Sequence, residues 1–156
     1  MECPKCRDKS LFPTKLEQGL PAMGCKACGG TFISLLYYRD WSERMPTLAE
    51  DECVEPASVA SHDSLVALHC PKCKGLMNKY WICGEVKNRL DVCGRCDEAW
   101  IDSGEWPLLK YLALGLALPK IFTEPWQSSV RKQHITQQRL QRLTEAVGAE
   151  DAERTR

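Results

Sequence analysis

Short strand-compatible runs of apolar, aromatic and β-branched residues flank a glycine-bearing turn in two separate parts of the chain. Leu11 to Leu16 and Leu20 to Met23 lie on either side of Gln18-Gly19; Leu76 to Ile82 and Val86 to Val92 lie around Gly84-Glu85. Runs of this length bounded by turn residues read as strands, and the glycine-bearing steps turn the chain back, so each part predicts a β-hairpin. An aromatic–aliphatic step follows each hairpin, Phe32-Ile33 and Trp100-Ile101. These predict a third strand in each unit, with the large side chains forming its small core.

The pattern then becomes helical. Leu35, Tyr38, Trp41 and Met45 recur at helix spacing behind Ser34, a good first cap, and ahead of Pro46, which ends the run. Behind the second unit, Asp102-Ser103 offers another helix start, with Glu105 placed as in a capping box. Pro107 moves the expected start to Ser103 or Gly104. Asp102 and Glu105 therefore read as helix caps rather than catalytic acids. Leu108 to Leu118 is apolar except for Lys110 and is closed by Pro119. It predicts a helix packed on the units or, if exposed, a homodimer surface through 108–118. Eleven residues fall well short of the about twenty needed to span a bilayer. Trp126 to Val147 predicts a polar helix carrying Arg131, Lys132, Arg139 and Arg142, with Val130, Ile135, Leu140 and Leu143 as a loose stripe and fraying after Gly148.

Cysteine changes this picture most. The chain has ten, and eight fall in four C-x2-C pairs: Cys3/Cys6, Cys25/Cys28, Cys70/Cys73 and Cys93/Cys96. The first pair of each unit reads C-P-K-C, and 18 and 19 residues separate the pairs within the two units. Two paired-cysteine turns at that interval close on one tetrahedral ion, so the expected cofactors are two zinc ions with four cysteine ligands each. Such sites are closed to water and substrate, which predicts a structural role and no enzyme activity. Units of about forty residues also bury too little apolar surface to fold alone, and metal supplies the missing stability. The opening Met-Glu-Cys-Pro-Lys-Cys has no basic-then-apolar leader, so the expected location is a reducing cytoplasm in which thiols stay available for metal. Cys53 and Cys83 are left as extra thiols, and His62, His69 and His134 have no nucleophile or carboxylate constellation; His69, beside Cys70, is the one substitute ligand to consider.

A shift of 68 residues lays Cys25, Cys28, Phe32, Ile33 and Ser34 over Cys93, Cys96, Trp100, Ile101 and Asp102, while Cys3 and Cys6 need 67. The chain is thus a tandem repeat with one residue added in the second copy. Formal charge is zero overall: +3 for residues 1–39, −6 for 40–69, +1 for 70–110 and +2 for 111–156. Residues 40–69, with Asp40, Glu43, Glu50, Asp51, Glu52, Glu55 and Asp63 against Arg44, read as a solvated acidic linker. Zero net charge argues against strong nucleic-acid binding, which depends on neutralising phosphates. Lys5, Lys26, Lys72 and Arg95 sit inside the C-x2-C turns, where they offset the charge of a zinc–thiolate centre. Tyr80 and Trp81, flanked by Lys79 and Lys87, are the best pair for stacking single-stranded bases, one ring inward and one outward.

The second unit, C-P-K-C-K-G-L-M followed by C-G-R-C-D-E-A-W-I-D-S-G-E, closely resembles the bacterial transcription factor IIB-type zinc-ribbon family over residues 70–106. The resemblance implies that Cys70, Cys73, Cys93 and Cys96 are zinc ligands and that Trp100, Asp102, Gly104 and Glu105 form the signature tail; Glu98 stands where the pattern has glycine. The first unit is similar more loosely: Cys3, Cys6, Cys25 and Cys28 carry over, with Phe32 for the tryptophan and Ser34 for the aspartate. The family is described as transcription-related or nucleic-acid-binding by likeness of fold.

Together these readings predict a small metal-stabilised α+β protein. Residues 1–39 form one rubredoxin-like, three-stranded zinc ribbon with the start of a helix, 40–69 the linker, 70–105 the second ribbon and 106–156 a helical C-terminal region. The expected function is a non-enzymatic adaptor that binds a protein or nucleic-acid partner, with transcription as the setting the resemblance implies; the alternative is a zinc- or thiol-responsive redox switch in which Cys53 and Cys83 take part.

Overall fold

Both hairpins form where the strand-compatible runs place them, the first within a residue and the second with later strand starts. The computed structural model describes residues 1–45 and 66–154. Pro46, the acids Glu50, Asp51, Glu52, Glu55 and Asp63, and Cys53 and His62 lie outside the described residues. In the first unit, β1 (Phe12–Glu17) and β2 (Leu20–Gly24) are antiparallel and β3 (Thr31–Ser34) adds to β2. In the second, β4 (Asn78–Trp81) pairs with β5 (Arg89–Cys93), and β6 (Glu98–Ile101) adds to β5. β4 and β5 are shorter than the sequence runs suggest.

The two third strands then pair with each other. β3 and β6 run antiparallel with Thr31 opposite Ile101, Phe32 opposite Trp100, Ile33 opposite Ala99 and Ser34 opposite Glu98. One six-stranded sheet results, in the order β1-β2-β3-β6-β5-β4. That order maps onto itself when the units are exchanged. Phe32 and Trp100, equivalent under the 68-residue shift, face each other, so the approximate two-fold axis of the repeat passes between them.

The alternation along each strand divides the side chains between the sheet's two faces. Leu20, Ala22, Ile33, Leu90, Val92, Ala99 and Ile101 join the helix-side core, while Phe32, Trp100 and Cys93 join a second core around the cysteines. Helices cover the first face. α1 (Leu35–Arg44) begins at Ser34, whose hydroxyl accepts from the Tyr37 N–H at 3.4 Å, and buries Leu35, Tyr38 and Trp41. α2 (Glu105–Tyr111) starts after Gly104, which sits at φ 84° and so uses a conformation that costs glycine little. Pro107 falls in the first turn of α2, where its missing N–H leaves no helix bond unmade.

Leu108 to Leu118 is not one helix. α2 ends at Tyr111, the chain turns through Ala113 at φ 58°, and α3 (Leu118–Ile121) follows, with Pro119 near its start rather than beyond its end. Leu108, Leu109, Leu118 and Ile121 are fully buried in the helix-side core. Those side chains complete the protein's own core, while Tyr111 is exposed and Leu112, Leu114 and Leu116 are half-buried, so only part of the 108–118 run is turned inward. Tyr38 ties the segment to α1: its hydroxyl donates to the Gly115 carbonyl at 2.7 Å and accepts from the Leu118 N–H at 3.3 Å, and burial pushes its pKa up to about 12.

α4 (Glu124–Arg154) begins two residues earlier than the sequence suggests and continues past Gly148 instead of fraying there. Gln127 explains how it attaches. Its amide clasps the outer edge of β4, accepting from the Trp81 N–H and donating to the Trp81 carbonyl, both at 2.9 Å, so a side chain does what another strand would do. Among the described residues, no helix is long and apolar enough to cross a membrane.

Candidate metal centres

All four C-x2-C pairs adopt one turn. The N–H of the residue after each second cysteine donates to the carbonyl of the first: Arg7 to Cys3 at 2.8 Å, Gly29 to Cys25 at 2.9 Å, Lys74 to Cys70 at 2.9 Å and Asp97 to Cys93 at 3.0 Å. That residue has positive φ each time, 66°, 75°, 63° and 55° respectively. Three of the four are not glycine, and such residues accept left-handed backbone only where something holds them there. N–H groups aimed at sulfur follow from the same turn: Cys6 N–H lies 3.3 Å from Cys3 Sγ and Gly75 N–H 3.4 Å from Cys73 Sγ. Only the cysteines marked these turns in the sequence.

Each hairpin brings its two turns together. Cys3, Cys6, Cys25 and Cys28 form one cluster and Cys70, Cys73, Cys93 and Cys96 the other, the sulfurs of each within 4.8 Å of one another. In both, the first cysteine of each pair is buried and the second half-buried. Sulfurs about 2.3 Å from a common tetrahedral centre stand about 3.8 Å apart. Cys3 and Cys28 are 3.6 Å apart, Cys6 and Cys25 3.9 Å, and Cys73 and Cys93 3.5 Å, so the donor sets fit such an ion. Pairing stays within units. His69 belongs to neither cluster; it lines a cleft of about 230 Å³ between the two C-P-K-C turns.

Four thiols this close cannot all ionise unaided. Burial, with neighbouring thiols of the same cluster adding to it, raises Cys3, Cys6 and Cys70, takes Cys28 up to about 11 and takes Cys96 up to about 12. Cys73 comes down to about 7, chiefly through the Gly75 N–H. Burial opposes ionisation of Cys25 too, but the N–H groups of Cys28 and Ala27 outweigh it and bring it to about 7. A divalent ion supplies the charge that lets four thiolates coexist, with release of their protons.

The two clusters share a wall. Phe32 and Trp100 pack among both cysteine sets together with Leu11, Leu68 and Met77. Trp100 is fully buried, and its indole N–H donates to Asp102 at 2.8 Å. The Asp102 N–H donates to Glu105 at 3.0 Å, and Asn88 donates to the same carboxylate at 3.4 Å. The carboxyl groups of the signature tail thus hold the tryptophan and the start of α2. They are placed at the helix start, in keeping with the capping role expected from the sequence.

Contacts also cross between the units. Lys5, in the first C-P-K-C turn, is 3.8 Å from Asp102, and Arg39 on α1 reaches both carboxylate oxygens of Asp97 at 2.5 and 3.5 Å. Lys72 pairs with Glu98, and the thiols of Cys96 and Cys70 add to the pull that raises its pKa. Lys26 lies 4.9 Å over the Phe12 ring. The lysines expected to offset the thiolates thus also engage carboxylates and a ring. Gly30 has a tertiary reason: a Cβ there would stand 2.1 Å from the Trp100 indole. The equivalent Glu98 is opposite the smaller side of the axis, beside Phe32, and can carry a side chain.

No family model, curated protein or solved structure matches the chain.

Proposed function

We propose that the chain is a non-enzymatic adaptor: a double zinc ribbon whose two metal ions set the shape of a surface that docks a macromolecular partner. The observation that carries this reading is the pair of all-sulfur clusters, each four cysteines deep and each built by the same four-residue turn. Four thiolates complete the shell of zinc and leave no position for water or substrate, so the ion acts as a crosslink. Cys3, Cys6, Cys25 and Cys28 hold one ion and Cys70, Cys73, Cys93 and Cys96 the other. The motif likeness of residues 70–106 to the transcription factor IIB-type ribbons supports a partner in the transcription machinery. It also supports a cytoplasmic, reducing setting, where the thiols stay free for metal.

The test has two arms. Elemental analysis of gently purified protein is expected to find two zinc per chain; fewer than one sinks the metal reading. Affinity capture from the native cell is expected to recover a defined partner that Cys70→Ser loses. A zinc-loaded chain that recovers none sinks the adaptor reading alone.

A further inference from the structure

We propose that the groove between the β4–β5 hairpin and α4 binds single-stranded nucleic acid, an inference that rests on the adaptor reading and gives the partner a chemistry. The groove has a volume of about 540 Å³, and Trp81, Lys87, Arg131, His134, Gln138 and Gln141 contribute to its lining, which contains no carboxylate. Three chemistries meet there. Lys87 and Arg131 suit phosphates, the glutamine amides suit base edges, and the Trp81 ring with the Arg89 guanidinium 5.3 Å from its centroid suits base faces.

The platform is held in place before any ligand arrives. Gln127 clasps the Trp81 main chain on both sides, and the His134 ring meets the indole edge-on at 4.7 Å and 78°. Ordering of the ring is thus not charged to binding. The Nε2 of His134 is buried and without a hydrogen-bond partner among the described residues. Tyr80, the other ring of the pair, is turned inward against Phe122 at 5.3 Å, and Lys79 is tied to the buried Asp91 at 2.6 Å. The structure therefore selects Trp81 and Lys87 from the four residues that the sequence offers.

Charge complementarity follows from where the acids lie. Five of the 21 acidic residues fall in 46–65, which has no lysine or arginine, so the rest of the chain carries 21 basic residues against 16 acidic. Arg131 pairs with Glu124, but both side chains are exposed, 54% and 77%, and such a pair yields readily to a phosphate. A half-buried ring set in a groove meets an unstacked base and not one inside a duplex.

The experiment uses the full chain loaded with metal and a labelled twelve-nucleotide oligo-dT or oligo-U, read by anisotropy. Two to three phosphate contacts predict about a tenfold loss of affinity between 50 and 200 mM salt. Lys87→Glu and Gln138→Glu are expected to weaken binding about fivefold or more, and Trp81→Ala about tenfold with Trp81→Phe largely retaining it. Lys15→Glu, the same charge change on an exposed residue of the opposite edge strand, is expected to leave binding unchanged; metal content and circular dichroism check each variant. No binding at 50 mM salt overturns the proposal, as does equal harm from Lys15→Glu, or equal competition by duplex or poly-glutamate. A chain that keeps two metals and a captured protein partner while ignoring the oligonucleotides loses this inference and keeps the adaptor reading.

Discussion

The two repeat units share a backbone and differ in what packs on their metal-side face. In the second unit that face is polar: Asp91 is fully buried against Lys79, Trp100 donates to Asp102, and the Asp102 N–H donates to Glu105. The equivalent positions of the first unit are Met23 for Asp91, Pro13 for Lys79, Phe32 for Trp100 and Ser34 for Asp102. There the face is an apolar depression of about 310 Å³. Four identical turns therefore do not make two equal modules. The second unit has its own network, its own wall residue and α4 clasped to its edge strand, while α2 reaches across to β1 and α1. The first borrows Trp100, the reach of Asp102 to Lys5, and the grip of Arg39 on Asp97.

Loss of a ligand gives the sharpest contrast. Cys93→Ser is expected to strip both ions and unfold both units, because the wall that it disorders also lines the first cluster, and structural zinc is worth about 10–16 kcal/mol of folding free energy. Cys28→Ser is expected to lose one ion and leave the second unit folded. Metal stoichiometry with circular dichroism reads both, and equal damage from the two variants breaks the comparison.

Next in size is the seat of the tryptophan. Gly30→Ala drives a methyl into the Trp100 ring and is expected to cost about 3 kcal/mol, whereas Glu98→Ala, at the equivalent position, costs about 1 kcal/mol or less. Urea midpoints at constant slope measure the difference. Trp100→Phe makes the axis symmetric in size. It removes buried ring volume and the indole donor to Asp102, for an expected loss of about 2 to 3 kcal/mol. If it proves neutral, the polar network of the second unit contributes little.

The smallest effect lies where the first unit meets the helix layer. Glu17 accepts from Trp106 at 2.9 Å and Lys110 at 2.7 Å. Burial works against its ionisation, but those two donors prevail and hold its carboxyl below the usual value. A depressed folded value means that the contribution is complete above the unfolded pKa of about 4.3 and is lost as pH falls through the folded one. Glu17→Gln is expected to cost about 1 kcal/mol at pH 7 and to flatten the acid limb below about pH 4. An unchanged acid limb removes Glu17 from the fastening of the two layers.

Much of the candidate site was legible before folding was considered. Cysteine pairs at a set interval leave few ways to come together, so the two four-cysteine clusters could be read directly. Ser34 announced α1 in the same local way. Leu108 to Leu118 misled, since an apolar run says that a segment is buried and not that it is straight; the turn at Ala113 is imposed by packing. Gln127 gave no signal at all, because clasping a strand edge depends on where α4 lands.

Local chemistry along the chain determined the turns, the hairpins, the starts of α1 and α2 and the two groups of four sulfurs, since each depends on residues close in sequence or on one short-range donor set. Tertiary structure alone decided that the third strands pair across an axis, that Phe32 and Trp100 meet on it, and that Gly30 makes room for an indole 70 residues away. Register between distant strands is set by which faces can be buried together, and that is a property of the assembled sheet.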